Sequence, residues 1–118
     1  MSRTDQVRQS IEALNNRDFT AAGKDFSNDV KFHAPGLGLD VQGRDTVMDS
    51  VGEFIKAADA RYEVADVIEH DPFIVTFARC TGNLEGRRMT WDICQVVRFE
   101  DDQAAEVWAL RGGVPAPA

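Results

Sequence analysis

The stretch FIVTFARCTGNLEGRRMTWDICQVVRF, residues 73–99, decides the fold. Two runs rich in Val, Ile, Phe and Trp flank Glu85-Gly86, a two-residue turn signal, which predicts a β-hairpin. Such a loop fixes the register. Cys80 then faces Trp91, Ala78 faces Ile93 and Thr76 faces Gln95. A second turn signal, Asp101-Asp102, adds another strand. Taken as a two-residue loop, it sets Gln95 opposite Trp108 and Ile93 opposite Leu110. Directly opposite residues point to the same side of a sheet. One face is therefore expected to collect Thr76, Ala78, Cys80, Trp91, Ile93, Gln95, Glu106, Trp108 and Leu110. The other collects Val75, Phe77, Arg79, Asp92, Cys94, Val96 and Arg98, a mixture that suits a face divided between solvent and a subunit interface.

Outward from the hairpin, residues 61–70, 73–82, 87–99 and 104–110 read as strands, the first two separated by His70-Asp71-Pro72. Toward the N-terminus the period changes. Val7, Ile11 and Leu14 recur at helical spacing, so residues 3–16 read as an amphipathic helix with Ser2 and Asp5 placed for a capping box. Asp18 is an N-cap candidate for a short second helix holding Phe19, Ala22 and Phe26. Residues 29–34 alternate like a strand, and Pro35-Gly36 opens a Gly-rich loop. Asp45 is the expected cap of a third helix over 45–58, with Val47, Val51, Phe54 and Ala58 as its buried stripe. The tail GGVPAPA is too rich in Gly and Pro to continue a strand and is expected to be loose from about residue 112. Helices followed by a meander of strands define an α+β domain with helices on one face of the sheet.

The 118 residues suit one domain, taken as 1–118. A net charge of −7, with arginines scattered among carboxylates, argues against nucleic acid and anionic membrane surfaces as partners, since phosphate binding needs basic patches. No apolar run approaches the roughly 20 residues of a membrane helix. The N-terminus MSRTDQVRQS is too polar for a secretory signal, so the expected location is cytoplasmic. Cys80 and Cys94 have neither a metal-ligand spacing nor a disulfide pattern, and they fall on opposite faces. Neither His33 nor His70 has metal-ligand spacing, and no metal is expected.

Three motifs in this order, ALNNRDFTAAGKDFSNDVKFHAPG at 13–36, VQGRDTV at 41–47 and RFEDDQAAEVW at 98–108, resemble the nuclear transport factor 2-like superfamily. The branch is that of SnoaL-like polyketide cyclases and ketosteroid isomerase-like proteins, and the likeness spans about residues 5–111. It implies a conical barrel, a curved and mostly antiparallel sheet wrapped around N-terminal helices, with one apolar pocket. It also implies a homodimer joined through the outer sheet face, a small-molecule ligand and no cofactor. Residues expected to line the pocket are Leu14, Phe26 and Phe54 from the N-terminal half, with Thr76, Ala78, Cys80, Trp91, Ile93, Trp108 and Leu110 from the sheet. Where ketosteroid isomerases keep a general-base aspartate this chain has Ala34. Their oxyanion-hole tyrosine and protonated aspartate correspond to Ser10 and Gln95, so that mechanism is not available here. The Asp-Arg-Asp set of limonene epoxide hydrolases has no equivalent on the inner face.

The catalytic candidates that remain are His33, Gln95 and Glu106. The imidazole of His33 is suited to proton transfer near neutral pH, but strand parity turns it away from Val30, Phe32 and Ala34. It is either a site residue, re-aimed by a bulge before Pro35, or a strand-end or interface residue. Gln95 either bonds protein groups or anchors a ligand oxygen. Glu106 is either an acid/base or the partner of a rim cation. Trp91 and Trp108 beside Thr76 and Ala78 either wall a hollow or interdigitate in a filled core. Two functions follow. One is binding of an apolar or carbonyl-bearing molecule with cofactor-free isomerisation, cyclisation or hydrolysis. The other is a non-catalytic binding or dimerisation module.

Overall fold

The computed structural model describes all 118 residues. Three helices, α1 (Arg3–Asn15), α2 (Phe19–Ala22) and α3 (Arg44–Ala58), lie against a curved, unclosed sheet of six strands. The strands are β1 (Phe26–Ala34), β2 (Leu39–Gln42), β3 (Arg61–His70), β4 (Phe73–Leu84), β5 (Arg87–Glu100) and β6 (Gln103–Pro117). Their order is β2-β1-β6-β5-β4-β3, and only the β1–β6 pair is parallel. This is the expected α+β cone. No helix is long and apolar enough to cross a membrane.

Local chemistry sets the helix starts. The Ser2 hydroxyl accepts the Asp5 N–H at 3.1 Å, and the Asp18 carboxylate accepts that of Ala21 at 3.1 Å. Asp45 is not a cap. Gly43, at φ +98°, precedes the first turn of α3, and Asp45 lies within that turn, where its charge favours the helix N-terminus. Phe26 opens β1 rather than closing α2. The loop after Gly36 contains a further strand, β2, which pairs antiparallel with the end of β1.

The β4–β5 register is the expected one, with Thr76 opposite Gln95, Ala78 opposite Ile93 and Cys80 opposite Trp91. The β5–β6 register differs by one residue. Phe99 faces Ala104 but Arg98 faces Glu106, so Ala105 is an extra residue in β6. This β-bulge puts Ala109 opposite Gln95 and Arg111 opposite Ile93. A slip of one residue reverses every side chain. Glu106, Trp108 and Leu110 therefore lie on the outer face, contrary to expectation, and Val107, Ala109 and Arg111 lie on the inner one. The slip stabilises the fold by placing Val107, fully buried, beside Phe32 and Val97 in the main core.

The tail is not loose. β6 runs to Pro117 and pairs with β5 through Met89–Pro117 and Thr90–Ala116. β1 ends at Ala34, its last partner in β6 being Trp108 opposite His33, so β6 is an edge strand beyond that point. Proline lacks an N–H but is tolerated where no neighbour needs one. Gly113, at φ +71°, absorbs the bulge between Gly112 and Ala116.

Candidate functional site

Between the helices and the concave face of the sheet lies a cavity of about 110 Å³. Most of its wall is apolar. Ile11 and Leu14 come from α1, Met48, Val51 and Phe54 from α3, and Phe26, Phe32 and Ala34 from β1. Tyr62, Thr76, Ala78, Trp91, Ile93, Gln95 and Ala109 complete the sheet side. The exposed rim is formed by Gly36, Leu37, Leu110 and Arg111. Among the residues expected at the pocket, Leu14, Phe26, Phe54, Thr76, Ala78, Trp91, Ile93 and Gln95 are in the wall, and Leu110 touches the rim from the outer face. Trp91 and Trp108 do not close on each other, because the β6 bulge separates them onto opposite faces.

Two expected lining residues are elsewhere. Trp108 is outside. Cys80 is fully buried behind the wall in a second small core with Ile55, Ala58, Ala60 and Trp91. Burial pushes its thiol up to about 11, so it stays protonated and behaves as a small hydrophobe. Tyr62, Met48 and Arg111 are lining residues that the sequence reading missed. Tyr62 faces Cys80 on the inner side only because Ala65 is an extra residue in β3, a bulge that no turn signal announces. Arg111 was hidden by the unforeseen bulge in β6. Burial, the main cause, also raises the Tyr62 phenol, which remains neutral.

Ser10, Ala34 and Gln95 line this one cavity. The three positions that carry catalysis in ketosteroid isomerases are thus brought together, but without that chemistry. The Ser10 hydroxyl donates to the Ala22 carbonyl at 2.6 Å and is already engaged. Thr76 Oγ1 and Gln95 Oε1, buried atoms on paired wall residues, have no hydrogen-bond partner. No aspartate, glutamate or histidine lines the cavity.

His33 and Glu106 are on the opposite face of the sheet from Gln95. His33 Nε2 lies 2.7 Å from Glu106 Oε2 and Nδ1 lies 2.9 Å from Asp40 Oδ1, while the ring stacks on Trp108 at 5.7 Å. Arg98 reaches the other Glu106 oxygen at 3.4 Å. The chain before Pro35 does not twist enough to turn His33 inward, so His33 and Glu106 are corrected from pocket candidates to an outer-face ion-pair cluster. The Glu106 hydrogen bond, assisted by Asp40 and opposed by desolvation, raises the His33 pKa above 6.5. The reciprocal bond from His33, with a smaller contribution from Arg98, lowers that of Glu106. No group of three or more His, Cys, Asp or Glu side chains is placed to hold a metal ion.

This cone of helices and curved sheet, with an apolar hollow between them, has known counterparts. A model of the SnoaL-like domain matches residues 7–107, and the chain belongs to that family within the nuclear transport factor 2-like superfamily. No curated protein matches it. Among solved structures it is similar to a nuclear transport factor 2-like protein of unknown function from Burkholderia pseudomallei, at 25% identity over 95% of this chain and 92% of that one, with a TM-score of 0.83. It also resembles a protein of ketosteroid isomerase-like fold from Catenulispora acidiphila, solved in complex with trimethylamine. The identity is 12%, over 92% of this chain and 85% of that one, and the TM-score is 0.80. TerC, co-crystallised with polyporic acid, matches at 18% identity over 92% and 89% of the two chains, with a TM-score of 0.80.

Proposed function

We infer that the protein binds a small, largely apolar molecule carrying an oxygen function, and that it does so without acid/base catalysis. The observation that carries this reading is the pair of unpartnered atoms, Thr76 Oγ1 and Gln95 Oε1, on neighbouring residues of a mostly apolar wall. A buried polar group without a partner costs about 1–3 kcal/mol. A ligand hydroxyl satisfies both atoms at once, since it can donate to one and accept from the Thr76 hydroxyl. A proton-transfer site needs a titratable group within hydrogen-bond reach of the substrate. His33 and Glu106 are across the sheet, and the neutral phenol of Tyr62 is a poor base. The volume, about 110 Å³, is somewhat below the roughly 150 Å³ of an engineered cavity that takes benzene, so a single ring is the upper limit of what the hollow takes.

Trp91 lies in the wall, so its fluorescence reports occupancy. Phenol is expected to bind about tenfold more tightly than benzene, and Thr76→Val to remove most of that preference. Ala78→Phe, which fills the hollow, is expected to abolish binding of both. Binding that survives Ala78→Phe, or the absence of binding by any ring-sized probe, overturns the reading.

A second reading concerns assembly and rests on the outer sheet face. Ile68, Phe77 and Leu110 are exposed there, and Val75, Val96 and Trp108 share the face. Charges of both signs surround this apolar centre, including Arg79, Asp92, Arg98 and Glu106. A patch with both signs can complement itself across a two-fold axis, as an isologous dimer requires. The partner of this face is a second copy of the chain.

A further inference from the structure

Arg111 is the only charged residue that lines the cavity. It belongs to none of the eight ion pairs in the molecule, so its guanidinium is free. The β6 bulge places it on the inner side, opposite Ile93 and two residues beyond Ala109, which faces Gln95. That offset is about 7 Å along a strand. Gly36 flanks Arg111 across the rim, where a Cβ at position 36 would stand in ordinary contact with the Arg111 side chain, at 3.5 Å from its Cβ. The chain as a whole carries a charge of −7 and repels anions at long range. An unpaired arginine at the mouth of an apolar hollow is therefore a local exception with a direction. One end of the site offers a planar, permanently charged donor, and the other offers unpartnered neutral oxygens.

We propose that the ligands of this cavity are organic acids, specifically single-ring carboxylates with a hydroxyl or oxo group at the far end. This rests on the binding reading above and adds the charged end. Arg111 donates a forked pair of N–H···O bonds to the carboxylate, the ring lies against the apolar wall, and the distal oxygen reaches Thr76 and Gln95. Arg111 is the residue that selects acids over neutral isosteres.

The test titrates the intact protein with 4-hydroxybenzoate and with 4-hydroxybenzamide, following Trp91 fluorescence and calorimetry, with phenol as a neutral reference. The acid is expected to bind at least tenfold more tightly than the amide, with a preference that weakens as salt is added. Arg111→Gln should bring the acid down to the level of the amide, and Arg111→Lys should restore part of the difference. Far-ultraviolet circular dichroism and melting confirm that each variant is folded. If phenol binds but the acid gains nothing over the amide, or if Arg111→Gln leaves the preference intact, the organic-acid proposal is wrong and the cavity reading stands. If phenol also fails to bind, the cavity reading fails and the proposal falls with it.

Discussion

His33 illustrates how much one side chain's direction decides. It stands at the lip of a strand break, where a catalytic base would be convenient. Its ring instead faces outward and bridges Asp40 and Glu106 while stacking on Trp108. The folded chain holds the His33 proton more tightly than the unfolded chain does, because of Glu106 first and Asp40 second. The resulting stability is fully present below the ordinary value of 6.5 and is lost as the pH rises through the higher folded value. Glu106 behaves in the opposite sense. Its lowered folded value contributes stability that is present above 4.5 and lost as the pH falls through that folded value. Together they favour the fold most between these limits. The melting temperature of the wild type is expected to fall from pH 6.5 upward more steeply than that of His33→Gln. His70 is common to both proteins and cancels in the comparison. Parallel melting curves for the two over that range would show that the cluster is not linked to folding.

At the scale of elements, α1 is tied to the sheet at an edge by a side chain acting as a short strand. Asn15 donates from Nδ2 to the Tyr62 carbonyl and accepts the Tyr62 N–H at Oδ1, both at 2.8 Å. The amide thus satisfies both backbone groups of one residue in β3, an edge strand, and fixes the helix over the cavity wall. Asn15→Ala should cost about 1–3 kcal/mol in urea unfolding, since two partly buried backbone groups lose their partners. Asn15→Asp retains an acceptor but no donor and should recover only part of the loss. An alanine variant as stable as the wild type would mean that water replaces the amide fully.

Legibility differed among elements for physical reasons. The Glu85-Gly86 hairpin could be read because its loop length fixes the register and both strands are regular. Asp101-Asp102 is equally visible as a turn, yet Ala105 shifts everything after it. Hydrophobic alternation could not reveal this, because AAEVWAL is apolar on both parities: Ala105, Val107 and Ala109 compete with Trp108 and Leu110. The choice was made by tertiary packing of Val107 against β1. The tail was misread for a related reason. Proline forbids a central strand, and only the shortness of β1 makes the end of β6 an edge. The α1 stripe, the caps at Ser2 and Asp18 and most of the cavity wall followed from local signals, whereas in α3 the fully buried Ile55 was not among the expected stripe of Val47, Val51, Phe54 and Ala58. The charged end of the site did not, since Arg111 faces inward only because of the bulge.

The whole molecule has two unequal faces. The concave side is closed by α1 and α3, whereas the convex side presents Ile68, Phe77 and Leu110 with no covering element. Each of these is more than a third exposed, and they share the face with Val75, Val96 and Trp108. Covering it with a second copy would remove apolar area from water at roughly 25 cal/mol per Å² before the cost of association is subtracted. A standard interface buries about 800 Å² on each partner. The wild type is expected to sediment as a dimer of about 26 kDa, twice the chain mass of 13.1 kDa. Phe77→Lys places a charge in the middle of the apolar row and should yield folded monomer, because Phe77 is already 44% exposed and contributes little to the core. Sedimentation velocity across a hundredfold concentration range separates the outcomes. A wild type that remains monomeric throughout rejects the dimer. A dimer that persists unchanged in Phe77→Lys would locate the interface away from this face.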